Sequence, residues 1–180
     1  MQIGIVRHFK VNHNTPKGWI SAAEYNSWIH SYDEAEIMSM NMANNSWDHC
    51  YSSDLSRAIH TARAICQSSL TITALLREIP ISPIVNSKLK LPLALWNGLG
   101  RLAWFMSHHS QEESKHETER RAEDFIQMLE SNEHQKVLVV SHGFFLIVLS
   151  NLLRKKGYTG KRTKRFKNGE IIIFRSDDFD

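Results

Sequence analysis

Two short apolar runs, residues 3–6 and 137–140, each stop abruptly at a histidine. The first reads Ile-Gly-Ile-Val and ends at Arg7-His8. The second reads Val-Leu-Val-Val and ends at Ser141-His142-Gly143. Runs of four apolar residues without polar alternation fit strands buried on both faces, as in a parallel sheet covered by helices. In such sheets ligands bind outside the carboxyl ends of the strands. The polar residues that stop these two runs therefore mark a candidate site.

The intervening chain supports that architecture. Residues 49–52 and 71–76 read as further strands, followed by Ser53 and by Arg77-Glu78. Ser21-Ala-Ala-Glu24 has the form of a capping box, predicting a helix through Tyr25, Trp28 and Ile29. Ser53 or Asp54 is expected to cap a helix through Arg57, Thr61 and Ile65. Residues 111–130 show a helical pattern with Ala122, Phe125, Ile126 and Leu129 on one face. A helix through Phe145, Leu149 and Leu152 follows the second histidine, and Gly169 opens a last strand over residues 170–174. Pro80, Pro83 and Pro92 make the middle of the chain irregular. Strands alternating with helices predict an α/β fold, a three-layer α/β/α sandwich around a mostly parallel sheet. At 180 residues, one domain over 1–180 is expected.

Composition narrows the function classes. The only cysteines are Cys50 and Cys66, and no CxxC or zinc-type Cys/His spacing occurs. No disulfide scaffold is indicated, and a reducing, cytoplasmic compartment is the expectation. The N-terminus reaches charge after six residues, too short for a signal-peptide core. No apolar run approaches the roughly 18 residues of a membrane span. The net charge is +3, with Arg154, Lys155, Lys156, Lys161, Arg162, Lys164, Arg165 and Lys167 crowded together. A solvated face is the simpler explanation of that cluster. Nucleic acid is disfavoured as a partner, because no aromatic-interleaved RNA motif or zinc finger accompanies the charge.

The strand-end residues form a chemical set. Arginine presents a planar fork of donors that matches phosphate oxygens. Neutral imidazole is a competent nucleophile that splits one hard step into two easier ones. Neighbouring cations favour the neutral form of His8 and stabilise charge on a transferring phosphoryl group. A leaving alkoxide needs an acid, and Glu78 is the candidate. Nearby arginines oppose that role and a bound phosphate dianion favours it, so Glu78 must sit nearer the substrate than the guanidinium groups. Taken singly, Arg57 would be a helix-surface charge, Glu78 a loop carboxylate, and His8 or His142 a hydrogen-bonded structural histidine. His13, His30, His60, His108, His109, His116 and His134 receive no role. Trp19 and Trp28 are expected in the core, and the stretch with Trp96, Leu99, Trp104 and Phe105 is expected to pack as core or helix, or else to form a lid.

The residues resemble the histidine phosphatase superfamily, also called phosphoglycerate mutase-like. Ile5-Val6-Arg7-His8 is similar to its signature. Tyr51-Ser52-Ser53-Asp54-Leu55-Ser56-Arg57-Ala58, continuing through Thr61-Ala62, resembles its second phosphate-binding segment. Leu75-Leu76-Arg77-Glu78 resembles the segment with its proton donor, and Val139-Val140-Ser141-His142-Gly143 its second histidine motif. Glu113-Ser114 and Arg120-Arg121 match more loosely. The resemblance implies that His8 becomes a phosphohistidine, that Arg7, Arg57 and His142 hold the phosphate, and that Glu78 is first acid, then base. No metal or other cofactor is implied. The implied activity is phosphomonoester hydrolysis on a small phosphorylated substrate. A mutase-type phosphotransferase, a phosphohistidine-protein phosphatase and a non-catalytic phosphate-binding module are the alternatives. Two departures occur. The family has a small residue after the nucleophile where this chain has Phe9, which either packs outward or narrows the site. The polar loop that follows is replaced by Lys10-Val11-Asn12-His13-Asn14, with Asn14 as the candidate phosphate contact.

Overall fold

The computed structural model describes residues 1–38 and 46–176. In chain order the elements are β1 (Gln2–Arg7), β2 (Trp19–Ile20), α1 (Ala22–Glu34), β3 (His49–Ser53), α2 (Ser56–Ile65), β4 (Ser69–Thr73), a 3-10 turn (Ala74–Leu76), β5 (Leu91–Pro92), α3 (Leu93–Phe105), α4 (Lys115–Glu130), β6 (Lys136–Ser141), α5 (Gly143–Lys155), β7 (Thr159–Gly160) and β8 (Ile171–Arg175). Six strands form one sheet in the order β4-β3-β6-β1-β8-β7. The first four of these run parallel, β8 is antiparallel to β1, and β7 is antiparallel to β8.

Alternation along the central strands sends side chains to both faces. Ile3, Ile5, Val137, Val139 and Phe174 pack with Phe125, Ile126, Phe145 and Leu149 of α4 and α5. Val6, Leu138, Val140 and Cys50 pack with Ala58 and Ala62 of α2, together with Trp47. Each fully buried large side chain contributes roughly 1.5–3 kcal/mol, so both helical layers are held firmly. A smaller cluster of Ile20, Ala22, Tyr25 and Trp96 joins α1 to α3 and to the two-stranded β2–β5 pair. The mixed, mostly parallel sheet flanked by helices is the expected α/β sandwich.

Several local expectations are corrected. The strand expected over 71–76 ends at Thr73, because the Thr73 hydroxyl accepts from the Leu75 N–H (3.2 Å) and turns the chain. Neither Ser53 nor Asp54 caps α2, whose flanking residue is Leu55. The Ser53 hydroxyl is engaged with His142 and the Asp54 carboxylate with Arg77. The helix expected from residue 111 starts at Lys115, with a capping box between Ser114 and Glu117, while Gln111 is tied to Ser82 instead. The Ser21–Glu24 capping box is present. Trp19 is 65% exposed rather than in the core, and Trp28 is half-buried, with its indole N–H donating to the Asn14 carbonyl (2.9 Å).

The cysteines overturn the free-thiol expectation. Cys50 and Cys66 are joined in a disulfide, their Cα atoms 6.4 Å apart across 16 residues. The pairing comes from packing: the start of β3 and the end of α2 lie side by side, which no spacing motif announces.

Candidate active site

Because β1, β6, β3 and β4 are parallel, their carboxyl ends share one edge. Arg7 and His8 follow β1, Ser53 ends β3, and His142 follows β6. The His8 and His142 ring centroids lie 5.1 Å apart. The His8 N–H donates to the Ser141 carbonyl (2.9 Å), extending the β1–β6 ladder one step past the strand.

His8 is buried, and its Nδ1 lies 2.6 Å from the Phe9 carbonyl. A carbonyl only accepts, so Nδ1 carries the proton and Nε2 keeps its lone pair. Burial, and then the guanidinium groups of Arg57 and Arg7, push the His8 pKa down to about 3, while the Phe9 carbonyl works the other way. The ring is therefore neutral and nucleophilic at ordinary pH. His142 is held well below the usual histidine range by burial, with Arg57, His8, Arg7 and Arg121 adding to it. Its Nε2 lies 2.9 Å from the Ser53 hydroxyl, and its buried Nδ1 has no partner among the described residues. The Nε atoms of Arg7 and Arg57 are likewise buried without partners among the described residues. Three unpaired polar nitrogens around one edge are an arrangement that an anion with several oxygens would satisfy.

Phe9 neither points outward nor narrows the cleft. Its ring is fully buried, it is absent from the cleft wall, and its N–H donates to the Thr61 hydroxyl (2.8 Å). The Gly143 position allows Arg7 to lie close: a Cβ there would stand 3.2 Å from Arg7 Nε. Asn168, beyond any motif noted in the sequence, donates from its side chain to the His8 carbonyl (2.7 Å). Arg7 Nη1 donates to the Phe166 carbonyl (3.3 Å). The segment that enters β8 thus fixes the backbone at Arg7 and His8.

Glu78 lies at the first turn of α5. Its Oε1 accepts from the N–H groups of Phe145 (2.9 Å) and Ile79 (3.1 Å), and its Oε2 from that of Phe144 (3.3 Å). Backbone donors at a helix start suit a carboxylate. Two groups hold the segment that carries it. Ser141 donates to the Leu76 carbonyl (2.7 Å), and Arg121 Nη1 donates to the Leu75 and Arg77 carbonyls (2.9 Å each). Arg121 in turn forms a two-pronged ion pair with Glu113 (2.9 Å on both prongs).

These residues open into a cleft of about 1050 Å³. Arg7, His8, Arg57 and Glu78 line its floor; Tyr25, Trp28 and Tyr32 of α1 and Asn97 and Arg101 of α3 line its sides. His142 is fully buried beside His8 and is not on the cleft wall. Asn14 is not brought in: it is exposed, and Thr15 is the residue of that loop on the cleft wall. Asp33, which carried no sequence signal, pairs with Arg57 Nη1 (2.6 Å), while the Tyr32 ring lies 5.3 Å from the Arg57 guanidinium carbon. A charged residue near the end of a polar helix face gives no hint of such a partner.

Two histidines and two arginines at the carboxyl edge of a mostly parallel sheet are an arrangement suited to a phosphoryl group. The chain belongs to the histidine phosphatase superfamily (branch 1), whose family profile matches residues 3–179. A phosphatase or mutase-type activity fits that membership. Solved structures share the fold at low identity. The protein titled mycobacterial hydrolase 2 is 16% identical with a TM-score of 0.61, covering 99% of this chain and 84% of its own. The α-ribazole phosphatase of Shigella flexneri is 22% identical with a TM-score of 0.52, over 85% and 79%. The mycobacterial glucosyl-3-phosphoglycerate phosphatase is 18% identical with a TM-score of 0.52, over 86% and 79%. No curated protein matches the chain in sequence. Among the described residues, no helix is long and apolar enough to cross a membrane.

Proposed function

We propose that the chain is a metal-independent phosphomonoesterase that works through a phosphohistidine on His8, with a small phosphorylated molecule as substrate. The observation that carries this is the His8 tautomer: Nδ1 is committed to the Phe9 carbonyl, so the nitrogen with the lone pair is Nε2, in a ring kept neutral by burial and two guanidinium groups. The Nε2 lone pair attacks phosphorus, the P–O bond to the leaving alkoxide breaks, and a protonated Glu78 supplies that oxygen with a proton. Glu78 then takes a proton from water as the water attacks the phosphohistidine, releasing inorganic phosphate and the free imidazole. Arg7, Arg57 and His142 hold the phosphoryl oxygens throughout.

A walled cleft of about 1050 Å³ supports a small molecule over a protein surface as substrate. Phe9 lies outside the cleft wall, which removes the feature that favoured a non-catalytic binding module. Rapid quenching during turnover of a labelled phosphate ester is expected to trap acid-labile phosphate on His8. Label on another residue, or full activity in His8→Ala, would overturn the reading. The cytoplasmic location expected from a two-cysteine composition meets a counter-argument in the Cys50–Cys66 disulfide, since disulfides persist in oxidising compartments. Cell fractionation decides between them.

A further inference from the structure

Five arginines line the cleft: Arg7, Arg57, Arg77, Arg101 and Arg121. Three have carboxylate partners, Arg57 with Asp33, Arg77 with Asp54 and Arg121 with Glu113. Arg7 and Arg101 form no ion pair among the described residues. Arg7 belongs to the phosphate floor. Arg101 stands elsewhere: its guanidinium carbon lies 4.9 Å from the centre of the Phe144 ring. The Phe144 N–H is one of the donors that hold Glu78 (3.3 Å). An acid that protonates the departing oxygen must face the leaving group, so Arg101 is on the leaving-group side of the site.

Its placement is built into the fold. Gly100 lets α3 press against the chain at Ile81 and Ser82, where a Cβ would collide with Ile81. Arg101, the next residue, is on the cleft wall. Asn97, one turn earlier in α3, accepts from the Tyr25 hydroxyl (3.0 Å) and ties α3 to α1. Glu112, the other carboxylate of the wall besides Glu78 and the paired ones, makes no ion pair with Arg101.

We propose that Arg101 receives an anionic group on the leaving part of the substrate, so that this enzyme prefers phosphate esters bearing a second anion, a carboxylate or a further phosphate. The inference rests on the phosphatase reading only for which end of the substrate it names. Guanidinium matches either anion through a two-pronged hydrogen bond. Arg101 is exposed, so the preference is moderate and falls with salt.

The test uses non-hydrolysable phosphonates and titration calorimetry on the full chain. The probes are phenylphosphonate, 4-carboxyphenylphosphonate, its neutral isostere 4-carbamoylphenylphosphonate, and 1,4-phenylenebisphosphonate. The carboxyl probe is expected to bind about tenfold more tightly than the carbamoyl probe at low salt. Arg101→Gln should abolish that ratio, and Arg101→Lys should keep most of it. Tighter binding of the bisphosphonate than of the carboxyl probe would identify a second phosphate as the group, and the reverse order a carboxylate. Equal affinities in the wild type, or a ratio that survives Arg101→Gln, overturn the proposal. A preserved ratio-and-loss pattern with no turnover of phenyl phosphate would sink the hydrolase reading and leave the subsite standing. If no phosphonate binds, both fall.

Discussion

Acid should unfold this protein through its two site histidines. An unfolded histidine titrates near 6.5, whereas folded His8 is pushed down to about 3 and His142 well below its usual range. Below pH 6.5 the unfolded chain therefore binds protons that the folded chain refuses. Stability contributed by a depressed group is present above the unfolded value and lost as pH falls through it. Between pH 7.5 and 5.5 the loss is between 1 and 2 kcal/mol for each histidine, so about 3 kcal/mol for the pair. Urea titrations at pH 7.5, 6.5 and 5.5, at constant ionic strength, measure it directly. His8→Asn or His142→Asn should each remove about half of the pH dependence, and the double variant nearly all of it. Comparing variants cancels the contribution of the carboxylates and of the remaining histidines. Saturating inorganic phosphate should flatten the wild-type curve, because an anion between the rings favours their protonated forms. A pH dependence that persists unchanged in the double variant would refute the argument.

Reducing the disulfide, or replacing Cys50 and Cys66 with Ser, frees a 16-residue separation in the unfolded chain and should cost about 3 kcal/mol. A thermal scan with and without reductant should show a Tm lower by roughly 6–12 °C. Arg57→Ala removes a buried guanidinium from the proposed phosphate site and strands Asp33, so affinity for inorganic phosphate should fall about a hundredfold, read by calorimetry. Arg121→Ala releases the Leu75 and Arg77 carbonyls that hold the Glu78 segment, and should lower kcat about a hundredfold with little change in KM, since the acid is misplaced and the phosphate floor is intact.

The parts of the site legible in the sequence are those at the ends of apolar runs. Residues 3–6 and 137–140 could only be buried strands, so Arg7, His8, Ser141 and His142 had to emerge at one edge once the strands were parallel. The partners that tune them were illegible, because they meet across the fold. Asp33 reaches Arg57 over 24 positions and Asn168 reaches the His8 backbone over 160. Nothing local marks either contact. Helix α3 was legible only in part: the stretch with Trp96, Leu99, Trp104 and Phe105 reads as core or helix, or else as a lid, and Pro92, Gly98 and Gly100 leave its bounds open. The approach of α3 to Ile81 explains Gly100 as a packing requirement. Trp19 misled for the opposite reason: a large apolar side chain is ordinarily buried, but its two-residue strand pairs only with β5 and leaves it exposed.

The bulky residue after the nucleophile has a consequence for motion. The Phe9 ring is buried in the interior, and its N–H, in the peptide that joins it to His8, is tethered to Thr61, while Asn168 holds the oxygen of that same peptide. The Phe9 carbonyl, next to that held peptide and its buried ring, is the acceptor for the imidazole. A half-turn of the His8 ring would face that oxygen with carbon and forfeit the bond. That bond opposes flipping of the ring, and Nε2 stays the nitrogen with the free lone pair.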